Sequence, residues 1–377
     1  MANEMDNTYM RQAIALARQG EFNARPNPMV GCVIVANGQV VGQGSHLQCG
    51  EAHAEVNALK EAATQAHGAT AYVTLEPCAH TGRTGPCIDA LIRAGIKRVV
   101  IATLDPHPLV CGKGMKALEA AGISVTEGVM TSEAKSLNPG FFSRIMRQKP
   151  YVRVKLGMSL DAKVAMQNGQ SQWITSSAAR QDVQRFRASS GAILTTSDTL
   201  LQDNCRLTVR EIAGVSTPLR VVIDTHLKSP SSSLLFREPG KVVVAVSEKV
   251  PAATIEDWLQ AANASDVDCI GLPLYQQHVD FSVLLDWLAE NEVNDLFVEA
   301  GAHFVGAILQ AGLVDELLVY IAPKLLGNNT IAMANLPNIQ QLSEHINGEY
   351  IDVDKVGPDV RLRIVLSDFA RAHHDHS

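Results

Sequence analysis

Short apolar strand patterns alternate with amphipathic helix patterns along most of the chain. MVGCVIVA (29–36) and QVVGQG (39–44) are β-branched runs split by Asn37-Gly38. Such a pair signals a two-residue hairpin, because both central residues of that turn need positive φ. A helix pattern follows in EAHAEVNALKEAATQ (51–65), a strand in ATAYVTL (69–75), a helix in CIDALIRAG (87–95) and a strand in KRVVIAT (97–103). GMKALEAAG (114–122) and ISVTEG (123–128) repeat the alternation. NTYMRQAIALARQ (7–19) precedes them as a helix with Asp6 or Asn7 as its cap. Strands apolar on both faces must be covered on both faces, so the pattern predicts a layered sheet with helices above and below.

The pattern restarts at RIMRQKP (144–150), where Pro150 cannot continue a helix and biases Lys149 to an extended shape. Beyond it, strands are predicted in YVRVKLGMS (151–159), GAILTT (191–196), LRVVIDT (219–225), KVVVAVS (241–247), DLFVEAG (295–301) and ELLVYIAPKLL (316–326). Helices are predicted in SSAARQDVQRFRASS (176–190), ATIEDWLQAAN (253–263), FSVLLDWLAEN (281–291) and HFVGAILQAG (303–312). A chain of 377 residues is longer than one compact domain usually is. The expectation is therefore an α/β protein of two three-layer α/β/α domains, residues 1–147 and 148–370, with 371–377 as a disordered, histidine-rich tail.

Charge narrows the function classes. The net charge is −7, whereas proteins that grip a nucleic-acid backbone carry a basic balance. Small-molecule chemistry is favoured. No uninterrupted apolar run of about 18 residues suggests a membrane span, and the polar start MANEMDNTYMRQ is unlike a signal peptide. Seven irregularly spaced cysteines read as reduced thiols in the cytoplasm.

One stretch carries chemistry. In EPCAHTGRTGPC (76–87), Cys78 and Cys87 are too far apart for a redox pair and too few for a zinc finger. Upstream, His53-Ala54-Glu55 opens a helix, and H-x-E followed by P-C and a second cysteine is the signature of zinc nucleobase deaminases. His53, Cys78 and Cys87 make three ligands for tetrahedral zinc, and the fourth position is left for water. Glu55 is then the proton shuttle rather than a ligand. Cys87 opens a helix, whose positive end is expected to favour its thiolate. Two other readings compete with a biosynthetic enzyme. One is an RNA- or nucleoside-editing deaminase with a C-terminal binding module; the other is a zinc-stabilised structural protein.

HAE with PCAHTGRTGPC resembles the deaminase half of the bifunctional riboflavin-biosynthesis deaminase–reductases, including the eight residues between Cys78 and Cys87. RPNPMVGCVIV (25–35) and GSHLQCGEAHAE (44–55) resemble further segments of that family, and the resemblance spans about residues 6 to 366. Gly85 and His107 depart from it, where the family carries proline and asparagine. The resemblance implies a cytidine-deaminase-like first domain and a dihydrofolate-reductase-like second domain. It implies a phosphorylated diaminopyrimidine substrate, 2,5-diamino-6-ribosylamino-4(3H)-pyrimidinone 5′-phosphate, whose ring carbon loses its amino group. Asn27, His46, His80 and Arg83 match substrate-pocket positions, and Arg83 suits the phosphate. Zinc and NADPH are the implied cofactors, and a homo-oligomer, dimer or tetramer, is expected.

In the second half no G-x-G-x-x-G follows the first strand, which argues against a standard dinucleotide fold. LFVEAGAHFVGAIL places small residues between a strand and a helix N-terminus, a local arrangement that can hold a pyrophosphate and equally serves packing. The resemblance assigns Gly301, Ala302, His303, Phe304, Val305, Gly306 and Ala307 to the NADPH loop. It adds Gly157, Trp173, Thr199 and Asp203 as cofactor contacts. Ser171, Arg187, Leu207 and Arg210 are implied around the substrate's ribose phosphate, with Glu299 beside the sugar. Arg187 and Arg210 suit a phosphate clamp. Hydride must reach C1′ of the ring-opened sugar, and Lys155, Asp161 and Glu299 are the titratable candidates for the accompanying proton. Asp161 serves equally well as a turn residue.

Overall fold

The computed structural model describes residues 4–79, 85–108 and 110–374, and the chain divides into two compact units, one running to Arg147 and joined by His373 and His374, the other Gln148–Ala372. In the first unit the elements run α1 (Glu4–Ala17), β1 (Gly31–Ala36), β2 (Gln39–Ser45), α2 (Ala54–Ala62), β3 (Thr70–Val73), α3 (Cys87–Arg93) and β4 (Arg98–Ile101). They continue α4 (Lys113–Ala120), β5 (Ser124–Glu127), α5 (Thr131–Leu137) and α6 (Pro139–Arg147). The sheet order is β2-β1-β3-β4-β5, with β1 antiparallel to both neighbours and β3, β4 and β5 parallel. Asn37 and Gly38 take φ of 50° and 77° and close the β1–β2 hairpin.

Strand alternation sorts this core into two faces. Cys32 and Ile34 of β1 pack with Ala54, Ala58 and Ala62 of α2, whereas Val33 and Val35 pack with Met10, Ala13 and Ala17 of α1. Helix α2 lies unusually close to β2. A Cβ on Gly42 or Gly44 would stand 2.2 Å from the carbonyl oxygens of Ala58 and Ala54. Glycine is required there by contact, and that contact sets where the N-terminus of α2, with His53 and Glu55, comes to rest.

The second unit runs β6 (Tyr151–Ser159), β7 (Lys163–Met166), α7 (Ser177–Ser189), β8 (Ala192–Thr196), α8 (Ser197–Asp203), β9 (Leu219–Ile223), α9 (Leu234–Arg237), β10 (Val242–Ser247), α10 (Ala252–Ala262) and β11 (Val267–Leu272). After the small hairpin β12 (Leu274–Tyr275) and β13 (His278–Val279) come α11 (Phe281–Glu290), β14 (Asp295–Val298), α12 (Ala302–Gln310), β15 (Glu316–Ala322) and β16 (Thr330–Ala332). The last elements are β17 (Glu349–Val356), β18 (Asp359–Val365) and α13 (Asp368–His374). Nine strands form one sheet in the order β11-β10-β9-β8-β14-β6-β15-β18-β17, parallel as far as β15, with β18 and β17 antiparallel. Leu194, Val221 and Val298 face α11 and α12, while Ile193, Val222 and Phe297 face α7. Each unit is thus a sheet between helical layers. Among the described residues no helix is long and apolar enough to cross a membrane.

Four local expectations change. Helix α1 begins at Glu4, so Asp6 is no cap. It is buried and accepts both guanidinium nitrogens of Arg98 at 2.9 Å and the Tyr72 hydroxyl at 3.0 Å. The strand predicted over 316–326 stops at Ala322, because Pro323 has no N–H for the ladder. Strands β17 and β18 escaped the sequence reading, because their apolar positions are interrupted by charges that pair across the edge, as in Arg361–Asp352 at 2.7 Å and Arg363–Glu316 at 2.7 Å. Residues 371–374, expected in a disordered tail, complete α13, and His373 packs on the Phe142 ring at 5.3 Å.

Candidate active sites

In the first unit His53 is the N-cap residue of α2, and Cys87 is the first residue of α3. Cys78 lies on the segment between β3 and α3. The His53 Nδ1 stands 3.2 Å from Cys87 Sγ and 3.6 Å from Cys78 Sγ, and the three donor atoms lie within 4.8 Å of one another. One imidazole nitrogen and two sulfurs at these separations fit a single tetrahedral zinc with a fourth position open. The backbone N–H of Cys87 donates to Cys78 Sγ at 3.3 Å. Hydrogen bonds, first from Cys87 and then from His53, hold the Cys78 thiol down to about 4, whereas the Cys87 thiol is pushed up, chiefly by that same pairing. The Cys87 N–H at the start of α3 thus adds to the bonds that favour a thiolate at Cys78.

Glu55 sits in the first turn of α2 with only 3% of its surface exposed. Burial, and then the Cys78 thiolate, push its carboxyl up to about 7. Beside it the His46 ring stands 5.2 Å from that of His53, edge to face. His46 Nδ1 is 3.2 Å from the Ala52 carbonyl and Nε2 is 3.1 Å from the Asn27 amide nitrogen. A carbonyl only accepts and the amide NH₂ only donates, so the tautomer with the proton on Nδ1 satisfies both contacts. Burial lowers the His46 pKa and keeps that ring neutral. Asn27 and His46 are thereby joined to each other and set next to the metal ligands. His80 and Arg83 lie outside the described residues.

Glu76, which the sequence reading passed over, anchors this region from behind. Its buried carboxylate accepts the backbone N–H groups of Gly112 at 2.9 Å, Met115 at 3.2 Å and Asp105 at 3.3 Å. Nothing in the sequence marks it except its place before Pro77-Cys78.

The second unit holds a cavity of about 840 Å³. Lys155, Gly157, Ser171, Trp173, Thr199 and Asp203 line it, as do Arg187, Leu207, Arg210, Glu299, Gly301 and Ala302. Strands β6, β8 and β14 end there beside α7, α8 and α12. Glu299 is its electrostatic centre: Arg187 Nε donates to its Oε1 at 2.6 Å, and Lys155 Nζ is 3.9 Å from its Oε2. Burial alone would raise the Glu299 carboxyl, but Arg187 and then Lys155 hold it below the usual carboxylate range. Burial lowers the Lys155 ammonium, a shift that Glu299 partly opposes. Arg187 also donates to the Thr208 carbonyl at 3.0 Å, so one edge of the expected phosphate clamp is already engaged by Glu299.

Only part of the segment expected to hold NADPH lies at the cavity. Gly301 is the N-cap residue of α12 and has no side chain to cap the helix, so backbone N–H groups are left for an anion. Farther along α12, Val305 and Gly306 are buried, and Phe304 packs on Phe281 at 5.3 Å. A Cβ on Gly306 would meet the Asn335 carbonyl at 1.9 Å, so this glycine serves packing. His303 and Ala307 are solvent-exposed and do not line the cavity. A cavity of this size with a bare helix N-terminus, cationic groups and a half-open indole fits a nicotinamide dinucleotide phosphate.

Asp161 stands apart from the cavity. It accepts Ser159 Oγ at 2.5 Å, Leu326 N at 3.1 Å and Gly327 N at 2.8 Å, and these bonds, Ser159 first, lower its pKa to about 2. A carboxylate so committed ties a turn together.

Residues 3–103 match the cytidine and deoxycytidylate deaminase zinc-binding region, and residues 150–362 match the RibD C-terminal domain. The riboflavin biosynthesis protein RibD of Escherichia coli is 45% identical over 372 residues, covering 96% of this chain and 99% of its own length. The chain belongs to the RibD family. RibD of Haemophilus influenzae is 39% identical over 378 residues, covering 96% and 97%. The solved structure of Acinetobacter baumannii RibD, form 1, matches with a TM-score of 0.88 at 41% identity over 97% of this chain and 99% of that one. A Thermotoga maritima diaminohydroxyphosphoribosylaminopyrimidine deaminase/5-amino-6-(5-phosphoribosylamino)uracil reductase matches at 0.84 and 30%, over 96% and 99%. As a RibD-family member this protein is a bifunctional enzyme of riboflavin biosynthesis, a zinc-dependent deaminase and an NADPH-dependent reductase.

Proposed function

We propose that residues 1–147 deaminate 2,5-diamino-6-ribosylamino-4(3H)-pyrimidinone 5′-phosphate. Residues 148–370 then reduce the ribosyl chain of the product to ribityl. The observation that carries the first half is a buried Glu55 two residues from a converged His53, Cys78 and Cys87. Zinc on those three residues supplies an activated water. Glu55, close to neutrality in its titration, moves a proton from the attacking water to the departing amino nitrogen, so that water and the amine become a ring carbonyl and ammonia. Asn27 and the neutral His46 hold the pyrimidine edge.

In the second half NADPH supplies hydride to C1′. Lys155 supplies the proton, because burial has brought its ammonium nearer to release and Glu299 keeps it in place at 3.9 Å. Arg187 and Arg210 hold the substrate phosphate, with Ser171 and Leu207 beside the ribose. The seven cysteines are reduced thiols, which suits a cytoplasmic enzyme. The exposed Tyr350 and Val353 on the outermost strand β17 suit a homo-oligomer, a dimer or tetramer.

Incubation of the purified protein with the pyrimidine phosphate, NADPH withheld, is expected to release ammonia and stop. Added NADPH is then consumed one for one with the ammonia released. Full NADPH oxidation by a Glu55→Gln enzyme given the undeaminated substrate would overturn the order of steps.

A further inference from the structure

Trp173 lines the reductase cavity with 63% of its surface exposed, yet it is held from two directions. The guanidinium carbon of Arg180 lies 4.2 Å from the indole centroid. An Arg180 terminal nitrogen donates to the Thr175 carbonyl at 2.8 Å, which aims the guanidinium. Lys324, just beyond β15, donates from Nζ to the carbonyls of Trp173 and Ile174 at 3.0 and 2.6 Å. The next residues are tied as well: Ser176 N donates to Asp359 at 2.7 Å, and Ser176 Oγ caps α7 by accepting from Ala179 N. One face of the indole is therefore occupied by a cation, and the exposed surface belongs to the rest of the ring.

We infer that Arg180 is a positioning residue of the reductase. It stacks on one face of Trp173 and fixes the indole so that the other face receives a planar ring of the nicotinamide cofactor. An arginine lining a cavity with Arg187 and Arg210 invites a different role, direct binding of the substrate phosphate. The geometry separates the two: Arg180 is spent on an aromatic face and a backbone carbonyl, whereas Arg187 pairs with Glu299 at 2.6 Å. A cation stacked on an indole also restricts the side chain without adding a group that competes for the ligand. The inference rests on the reading of Trp173 as a cofactor contact.

The test uses the full-length zinc-loaded protein. Arg180→Met keeps the length and removes the charge and the hydrogen bond. Its KM for NADPH is expected to rise about two- to fivefold, the scale of a cation–π contact at an exposed ring, with kcat nearly unchanged and ammonia release by the other unit unaltered. NADPH quenching of tryptophan fluorescence should need correspondingly more cofactor, with Trp258 and Trp287 accounted for through Trp173→Phe. Arg180→Lys should fall between wild type and Arg180→Met. A raised KM for the phosphorylated pyrimidine with an unchanged KM for NADPH would overturn the inference and make Arg180 a phosphate ligand. If Trp173→Phe raises the KM for NADPH and Arg180→Met does not, the inference fails while the reading of Trp173 stands. If Trp173→Phe changes neither the KM for NADPH nor the quenching, that reading fails and takes the inference with it. Should Arg180→Met not fold, Arg180→Lys is read in its place, and an unchanged KM for NADPH sinks the proposal.

Discussion

In the first unit three metal-binding atoms converge from two stretches, residue 53 and residues 78 to 87, whereas the second unit's cavity gathers side chains spread from Lys155 to Ala302. The first is a coordination problem. Its donors are rare residue types, and each is placed by a helix start or the turn before one. The second is a charge-balance problem, in which Glu299 is held between Arg187 and Lys155, all half-buried and all common residue types. A metal site announces itself by composition and spacing. A site made of common charges acquires its chemistry only from which charge ends up beside which.

The largest expected effect breaks the coordination side of this contrast. Cys87→Ala removes one of three protein ligands and should abolish both bound zinc and deamination, with NADPH oxidation on the deaminated product intact. Zinc retained at full stoichiometry by metal analysis would remove Cys87 from the site. Glu55→Gln comes next. It keeps the shape and loses the shuttle, so ammonia release should fall by about 10²–10⁴-fold while zinc content stays at wild type. Near-normal release would take Glu55 out of the reaction.

The charge-balance side is tested by Arg187→Ala and Arg210→Ala. Each deletes a charged hydrogen bond, on the order of 1.5–3 kcal/mol, and should lower kcat/KM for reduction by roughly 10- to 150-fold with deamination untouched. Arg187→Ala should be the more damaging, because it also removes the 2.6 Å pairing with Glu299. Equal effects would mean that phosphate binding, not the Glu299 pairing, dominates. Smallest is Asp161→Asn. Its carboxylate ties residues 326–327 at neutral pH, and its folded pKa of about 2 lies below the unfolded value near ~3.9. The stability that this tie contributes is therefore present above the unfolded value and is lost as pH falls through about 2. The variant should lose that part of the acid dependence in a pH series of thermal melts and keep reduction within about twofold. A tenfold loss of kcat would return Asp161 to the chemistry.

Legibility followed the same contrast. The β1–β2 hairpin, α2, and the strand and helix runs of both halves were readable because their apolar periodicity is uninterrupted. β17 and β18 were not, since their strand pattern is broken by Asp352, Asp354, Arg361 and Arg363, whose charges make sense only across the sheet edge. Asp6 read as a cap because an acidic residue before a helix usually is one; its partner Arg98 lies far along the chain. Glu76 and Arg180 were invisible for a related reason. A glutamate that gathers three backbone N–H groups and an arginine that backs an indole look in sequence like ordinary charged residues.

By itself the sequence determined the layered α/β architecture, the identity of the three zinc-ligand candidates and the family resemblance, because apolar periodicity and soft-ligand residue types are local properties that survive without coordinates. The tertiary structure alone decided that His53, Cys78 and Cys87 converge, that Asp161 anchors a turn, that only the start of α12 reaches the cavity, and that Glu299 is held between two cations. Those outcomes depend on burial and on distances of a few ångströms between residues far apart in the chain, and Coulomb and desolvation energies change sign and size over such distances.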